Sequence, residues 1–204
     1  MEIFKGLLYK NNFFYNFLDY LKNKEKRNLR FKILNNYIRK KTSLIDVCGG
    51  TGQLKTHIDK SIKYTVTDAS DQFASTCKNK NINFIKLNCT NFNIHKIKFD
   101  YSVMIISLYQ FKNDIKKILK KLRKISKKKV IIIEEISPKN ETNIFTNIKK
   151  AIRGYLCKTS FYKKNYDLFN FMEFSKLMKK NKFKLIDKFV NYNLLIGIYE
   201  IKKK

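Results

Sequence analysis

Asp46 and Asp68 each close a short apolar run, SLID and YTVTD, and three glycines, Gly49, Gly50 and Gly52, lie between them. A carboxylate at a strand end can accept two adjacent hydroxyls, such as those of a ribose, or hold an amino group. Glycine has no Cβ, so a turn rich in it bends sharply and lets a ligand touch the backbone. Together these positions describe a site for a nucleoside-bearing ligand at the carboxyl ends of two neighbouring strands. A tight turn alone would also use Asp46 and Gly50, but it would not call for a second acid at the next strand end.

Spacing weakens two rival phosphate loops. In GxxxxGK[ST] a glycine must precede the lysine, and Leu54 precedes Lys55 here. In GxGxxG the third glycine would stand at position 55, which is lysine. What remains is Asp46-x-x-x-Gly50-x-Gly52 followed by Asp68. His57 falls in the first crossover and His95 in a polar loop, and neither has a sequence partner that would make it a base or ligand. Glu134 and Glu135 follow the apolar run KVIII, where one of them could face a cleft. The cysteines, Cys48, Cys77, Cys89 and Cys157, show no CxxC spacing, so neither a metal site nor a disulfide framework is expected.

The elements that must position these residues follow from hydrophobic periodicity. Residues 3 to 40 carry apolar positions at helical spacing and predict two or three helices. Then come SLIDVC and a helix to about Asp59; YTVTD and a helix from Asp71; NFIKL; YSVMIIS; a helix from Asn113 to Ile125; and KVIIIEE. Strand alternating with helix predicts an α/β doubly wound sheet with parallel strands. An aromatic-rich segment from Ile144 leads to a helix near Phe174 to Asn181 and to two β-like runs joined around Asn193, hence a terminal hairpin. The 204 residues fit a single domain, divided into N-terminal helices at 1–41, a ligand-binding core at 42–137 and a helical region with the hairpin at 138–204.

A formal charge of +29 invites a nucleic-acid reading. Only five of the 45 basic residues are arginine, however, and the chain is equally heavy in Asn, Ile, Phe and Tyr, the set that AT-rich codons encode. The runs Lys22 to Lys32 and Lys116 to Lys129 read as polar helix faces first, while the charge still admits contact with RNA or with an anionic membrane surface. The sequence shows no membrane-spanning run and no secretory signal, so a cytoplasmic location is expected; it does not speak to oligomeric state.

SLIDVCGGTGQL, from Ser43 to Leu54, resembles motif I of the class I, seven-strand methyltransferases that use S-adenosylmethionine, and VTDAS, from Val66, resembles their motif II. The likeness continues through FIKLNCTNF, KFDYSVMIISLYQF and the terminal hairpin. Within the family it is nearest to the ubiquinone/menaquinone biosynthesis C-methyltransferases, through the small non-glycine Cys48 before GGTG, Asn88, and the acid-containing IIIEEISPK. Gln53 stands where that subgroup prefers an acid, and SLYQF replaces its usual loop.

The resemblance implies a Rossmann-like, mostly parallel seven-stranded sheet with an antiparallel last strand, and S-adenosylmethionine as cofactor. It implies that Gly49, Gly50 and Gly52, with Cys48, let the loop approach the amino-acid tail, that Asp46 accepts from its amino group, and that Asp68, beside Ala69, takes the ribose hydroxyls. Asn88 and Cys89 would lie against the adenine, although Asn88 could equally cap the short turn that follows it. Tyr109 is the candidate for an aromatic wall near the sulfonium or the acceptor, with a partly buried core aromatic as the rival reading. The leading expectation is methyl transfer to a small aromatic or quinone-like acceptor. An RNA methyltransferase is the alternative, weakened because SLYQ lacks the [ND]PP[YF] tetrapeptide, and a nonenzymatic or nicotinamide-binding protein of the same fold is the third.

Overall fold

In the central strand β5 (Ser126–Glu135) the residues Val130 to Glu134 are buried on both faces, as expected of a strand with neighbours on either side and helices above and below. The computed structural model describes residues 24–90, 97–136, 169–191 and 194–201. The helices expected before residue 24, His95, Cys157, most of the aromatic-rich segment and the turn at Asn193 lie outside these residues.

The other strands are β1 (Ser43–Val47), β2 (Lys63–Asp68), β3 (Asn83–Lys86), β4 (Phe99–Ile105), β6 (Phe183–Asn191) and β7 (Leu194–Ile201). They form one seven-stranded sheet in the order β3-β2-β1-β4-β5-β7-β6. The first five strands are parallel, while β7 runs antiparallel to β5 and pairs with β6 as a hairpin. Strand order reverses between β1 and β4, and the crevice at the carboxyl ends of these two strands is where such sheets take ligands.

Helix α1 (Lys24–Tyr37) packs Phe31 and Leu34 on one face of the sheet, and α2 (Asp71–Asn79) adds Cys77 to the same layer. On the opposite face lies α3 (Ile115–Ile125), whose Ile115, Ile118, Leu119, Leu122 and Ile125 recur at helical spacing and are all buried. Its lysines at 116, 117, 120 and 124 are exposed, so this part of the basic run is a solvated face. Helix α4 (Phe171–Lys180) completes that layer with Phe174 and Met178. A capping box starts it: Asn170 Oδ1 accepts from the Glu173 N–H at 2.8 Å, and Glu173 Oε2 from the Asn170 N–H at 3.3 Å. Among the described residues no helix is long and apolar enough to cross a membrane.

Two elements differ from expectation. The helix expected after β1 is only a 3-10 turn, Gln53–His57, entered from left-handed Gly52 and followed by extended Ile58. Asp59 then turns the chain by accepting from the N–H and hydroxyl of Ser61 at 2.9 and 2.6 Å. β5 begins three residues early, because Ser126 and Lys129 pair with Phe99 and Tyr101 of β4.

Candidate functional site

Along β1, Leu44 packs toward α1 whereas Ile45 and Val47 pack toward α3, so alternation carries Asp46 to the α1 side. Its side chain is 2% exposed. Tyr64 of β2 donates its hydroxyl to Asp46 Oδ2 at 2.6 Å. The other oxygen, Oδ1, is buried and has no hydrogen-bond partner among the described residues. Burial pushes the Asp46 carboxyl up to about 7, against the pull of the Tyr64 hydrogen bond, with nearby Asp68 raising it and the Arg30 charge lowering it. A buried acceptor left this way is disfavoured by about 1–3 kcal/mol, so an ammonium donor at Oδ1 would be strongly held.

The loop after β1 is left-handed at Cys48, Gly50 and Gly52, with φ of 58°, 57° and 70°. Gly49 is required for a different reason: a Cβ there would stand 2.6 Å from Asp46 Cγ and Oδ2. The Gly49 N–H donates to the Thr67 carbonyl and the Gly50 N–H to Asp68 Oδ2, both at 3.1 Å. Asp68, 8% exposed at the end of β2, also accepts from the Ser70 N–H through Oδ1 at 3.1 Å. Burial pushes its carboxyl up to about 6, opposed by the N–H groups of Ser70, Gly50 and Ala69. Each oxygen keeps a lone pair for a ligand hydroxyl. Asp68 thus ties the glycine loop to β2, a task its place in the sequence does not announce.

Beyond β3, the Leu87 N–H donates to the Asp68 carbonyl at 2.8 Å, which draws Asn88 and Cys89 to the same end of the sheet. Asn88 Oδ1 accepts from the Thr90 N–H at 3.0 Å and hydroxyl at 2.8 Å, the turn-capping role, and its Nδ2 group is what remains to meet a ligand. Cys89 is buried in the apolar layer that also contains Tyr109, and half-buried Cys48 packs against that layer. The Cys48 thiol lies well above its ordinary range because it is hydrogen-bonded to Cys89 and buried near Asp68 and Asp46.

Tyr109 is 7% exposed, in the 3-10 segment Leu108–Asp114, and its hydroxyl accepts from Gln110 Nε2 at 3.3 Å. It is buried in one apolar cluster with Cys89, Leu108 and Phe111. His57 stacks on Phe31 with ring centroids 4.3 Å apart. Two more residues bear on the site, and the linear sequence marks only the second of them, as one of an acidic pair. Tyr64, which holds Asp46, is one. Glu134, fully buried at the end of β5, is the other: its Oε1 accepts from the N–H groups of Ser107 and Leu108.

This sheet, with a glycine turn at its switch point and acids at the ends of β1 and β2, has the fold of solved S-adenosylmethionine-dependent methyltransferases. A methyltransferase from Clostridium acetobutylicum superposes with a TM-score of 0.66 at 16% identity, over 94% of this chain and 98% of its own. One from Methanosarcina mazei gives 0.67 at 15%, over 84% and 98%. The magnesium protoporphyrin IX methyltransferase of Synechocystis, with bound S-adenosylhomocysteine, gives 0.63 at 12%, over 86% and 84%. The chain belongs to the family described as methionine biosynthesis protein MetW, whose model matches residues 28–195. No curated protein matches it. That match does not reach the quinone-methylating subgroup that the sequence resembles.

Proposed function

We propose that the chain is an S-adenosylmethionine-dependent methyltransferase, folded as one domain, that modifies a small aromatic or quinone-like acceptor. The observation that carries the reading is the buried Asp46 Oδ1, without a hydrogen-bond partner among the described residues, under a loop whose Gly49 cannot bear a side chain. That pairing fits the amino-acid end of the cofactor: the acid offers an acceptor for an ammonium, and the loop offers backbone at close range. Asp68, already oriented by Gly50 and Ser70, would take the ribose hydroxyls, and Asn88 Nδ2 the adenine edge.

When bound, the cofactor supplies an electrophilic methyl group on a sulfonium, which an acceptor takes by in-line displacement. The contribution of this chain is to fix the cofactor's three parts, keep the site dry and leave one approach open. The aromatic or quinone-like acceptor rests on the sequence resemblance and on the apolar layer of Cys89, Leu108 and Tyr109 beside Cys48.

Titration calorimetry with S-adenosylhomocysteine, beside NAD as control, tests the reading. Asp68→Ala is expected to weaken binding by about 1–3 kcal/mol through lost charge-assisted hydrogen bonds and a loosened Gly50. An unchanged dissociation constant in that variant would take Asp68 out of the site. Saturable binding of NAD instead would replace the cofactor.

A further inference from the structure

The turn that follows β4 is strained. Ile106, a β-branched residue, has φ of 49°, a conformation such side chains rarely adopt. Strain of this kind persists only where the surroundings over-determine it. Here the Ile106 N–H extends the β4–β5 ladder to the Ile133 carbonyl at 2.7 Å, and the Ser107 hydroxyl folds back on the Ile105 carbonyl at 2.7 Å. The chain then enters Leu108–Asp114, a 3-10 segment whose first N–H groups have no partners of their own in the turn.

Glu134 supplies those partners from the neighbouring strand. Alternation along β5 puts Val130 and Ile132 in the α3 layer, and Glu134 continues that face beneath the turn. Oε1 accepts from the N–H of Ser107 at 3.0 Å and of Leu108 at 2.6 Å, while Oε2 is buried with no hydrogen-bond partner among the described residues. A fully buried carboxyl is a costly group to keep for one turn. An apolar residue would fill the strand position but leave two buried N–H groups unsatisfied and the Ile106 turn unsupported.

We propose that Glu134 is a positioning residue of the methyl-transfer site: from β5 it locks the turn 106–109, and so fixes where Tyr109 and Leu108 stand beside Cys89 and the Cys48 edge of the cofactor loop. The proposal rests on the methyltransferase reading for the reaction served, and on the turn's own geometry for the anchoring. Glu134 acts through the turn and not by contact with reactants.

Hydrogen exchange on the full chain, with and without S-adenosylhomocysteine, tests both parts. In the unaltered protein the ligand is expected to slow exchange in the segment 106–109. Glu134→Ala is expected to speed exchange there by about tenfold or more while Val103 and Ile131, deep in the sheet, stay slow. Glu134→Gln keeps a carbonyl acceptor and is expected to restore slow exchange and the ligand's protection. Glu134→Asp keeps the charge but withdraws it by one methylene, and its expected intermediate exchange decides the matter if the alanine variant does not fold. Exchange at 106–109 unmoved by Ala or Asp overturns the anchor. Ligand that binds without protecting 106–109 overturns the link to the transfer site. Failure of the unaltered protein to bind the ligand at all overturns the methyltransferase reading, and with it the reaction Glu134 would serve, while the exchange rates still report the anchor.

Discussion

Gly49→Ala is expected to weaken S-adenosylhomocysteine binding by at least about 100-fold, roughly 2.7 kcal/mol, although it adds one methyl group. The new Cβ would lie 2.6 Å from Asp46 Cγ and Oδ2, closer than non-bonded atoms approach. Asp46 has little room to retreat, because Tyr64 holds Oδ2 at 2.6 Å and Ile45 and Val47 on either side are fully buried. The substitution therefore displaces either the loop or the carboxylate, and both belong to the proposed site. Gly49 has no left-handed φ, so the effect is steric; at Gly50 and Gly52 a side chain would add backbone strain. This makes a double-mutant cycle decisive. On an Asp46→Ala background the added methyl group meets no carboxylate, and Gly49→Ala should then have little further effect on stability to denaturant. Additive losses would mean that the two residues do not share the conflict described.

The candidate site was partly legible because its core is local. Asp46, Gly50, Gly52 and Asp68 fall within one strand, one turn and the next strand, and parallel pairing brings the ends of such strands together almost regardless of detail. Tyr64 was not legible as a site residue, and Glu134 only as one of two acids that could face a cleft, because each acts across the sheet. The reach of Tyr64 to Asp46 spans 18 residues and that of Glu134 to Ser107 spans 27, and both depend on register and on which face alternation exposes. The same cause hid the start of β5, where lysines show no strand pattern and pairing with β4 decides. Tyr109 reads as site or core with equal ease in the sequence, since an aromatic after a strand serves either; in the fold it is buried with Cys89, Leu108 and Phe111, a placement that periodicity does not give. Asn88 showed the reverse case, with its capping of Thr90 visible as a local pattern.

Thermal stability is expected to fall as pH rises from about 5 to about 8, the opposite of the acid sensitivity most proteins show in their carboxylates. Burial raises three carboxyls: Asp68 to about 6, Asp46 to about 7 and Glu134 to about 8. In the unfolded chain all three ionise near pH 4. Between those limits the native state holds protons that the unfolded state has lost, so each such group removes on the order of 1.4 kcal/mol of stability per pH unit until its native value is passed. Asp59, held at about 2 by Ser61, and Asp100, lowered by the Ser43 N–H, lose their stabilising effect only at still lower pH and do not mask the trend. A melting temperature at least about 5 °C lower at pH 8 than at pH 5 is the expected scale. Asp46→Asn should flatten part of the slope, and a flat or rising profile in the unaltered protein would sink the argument. The ligand acts with the opposite sign. An ammonium at Oδ1 favours ionised Asp46, so binding should release protons near pH 7 and tighten as pH rises toward 8, read as a buffer-dependent binding enthalpy in calorimetry. Asp46→Asn should abolish that proton release. Asp46 would then be a group that weakens the empty fold near neutrality because its charge is kept for the cofactor, and coincident loss of both pH effects in one variant would identify it as such.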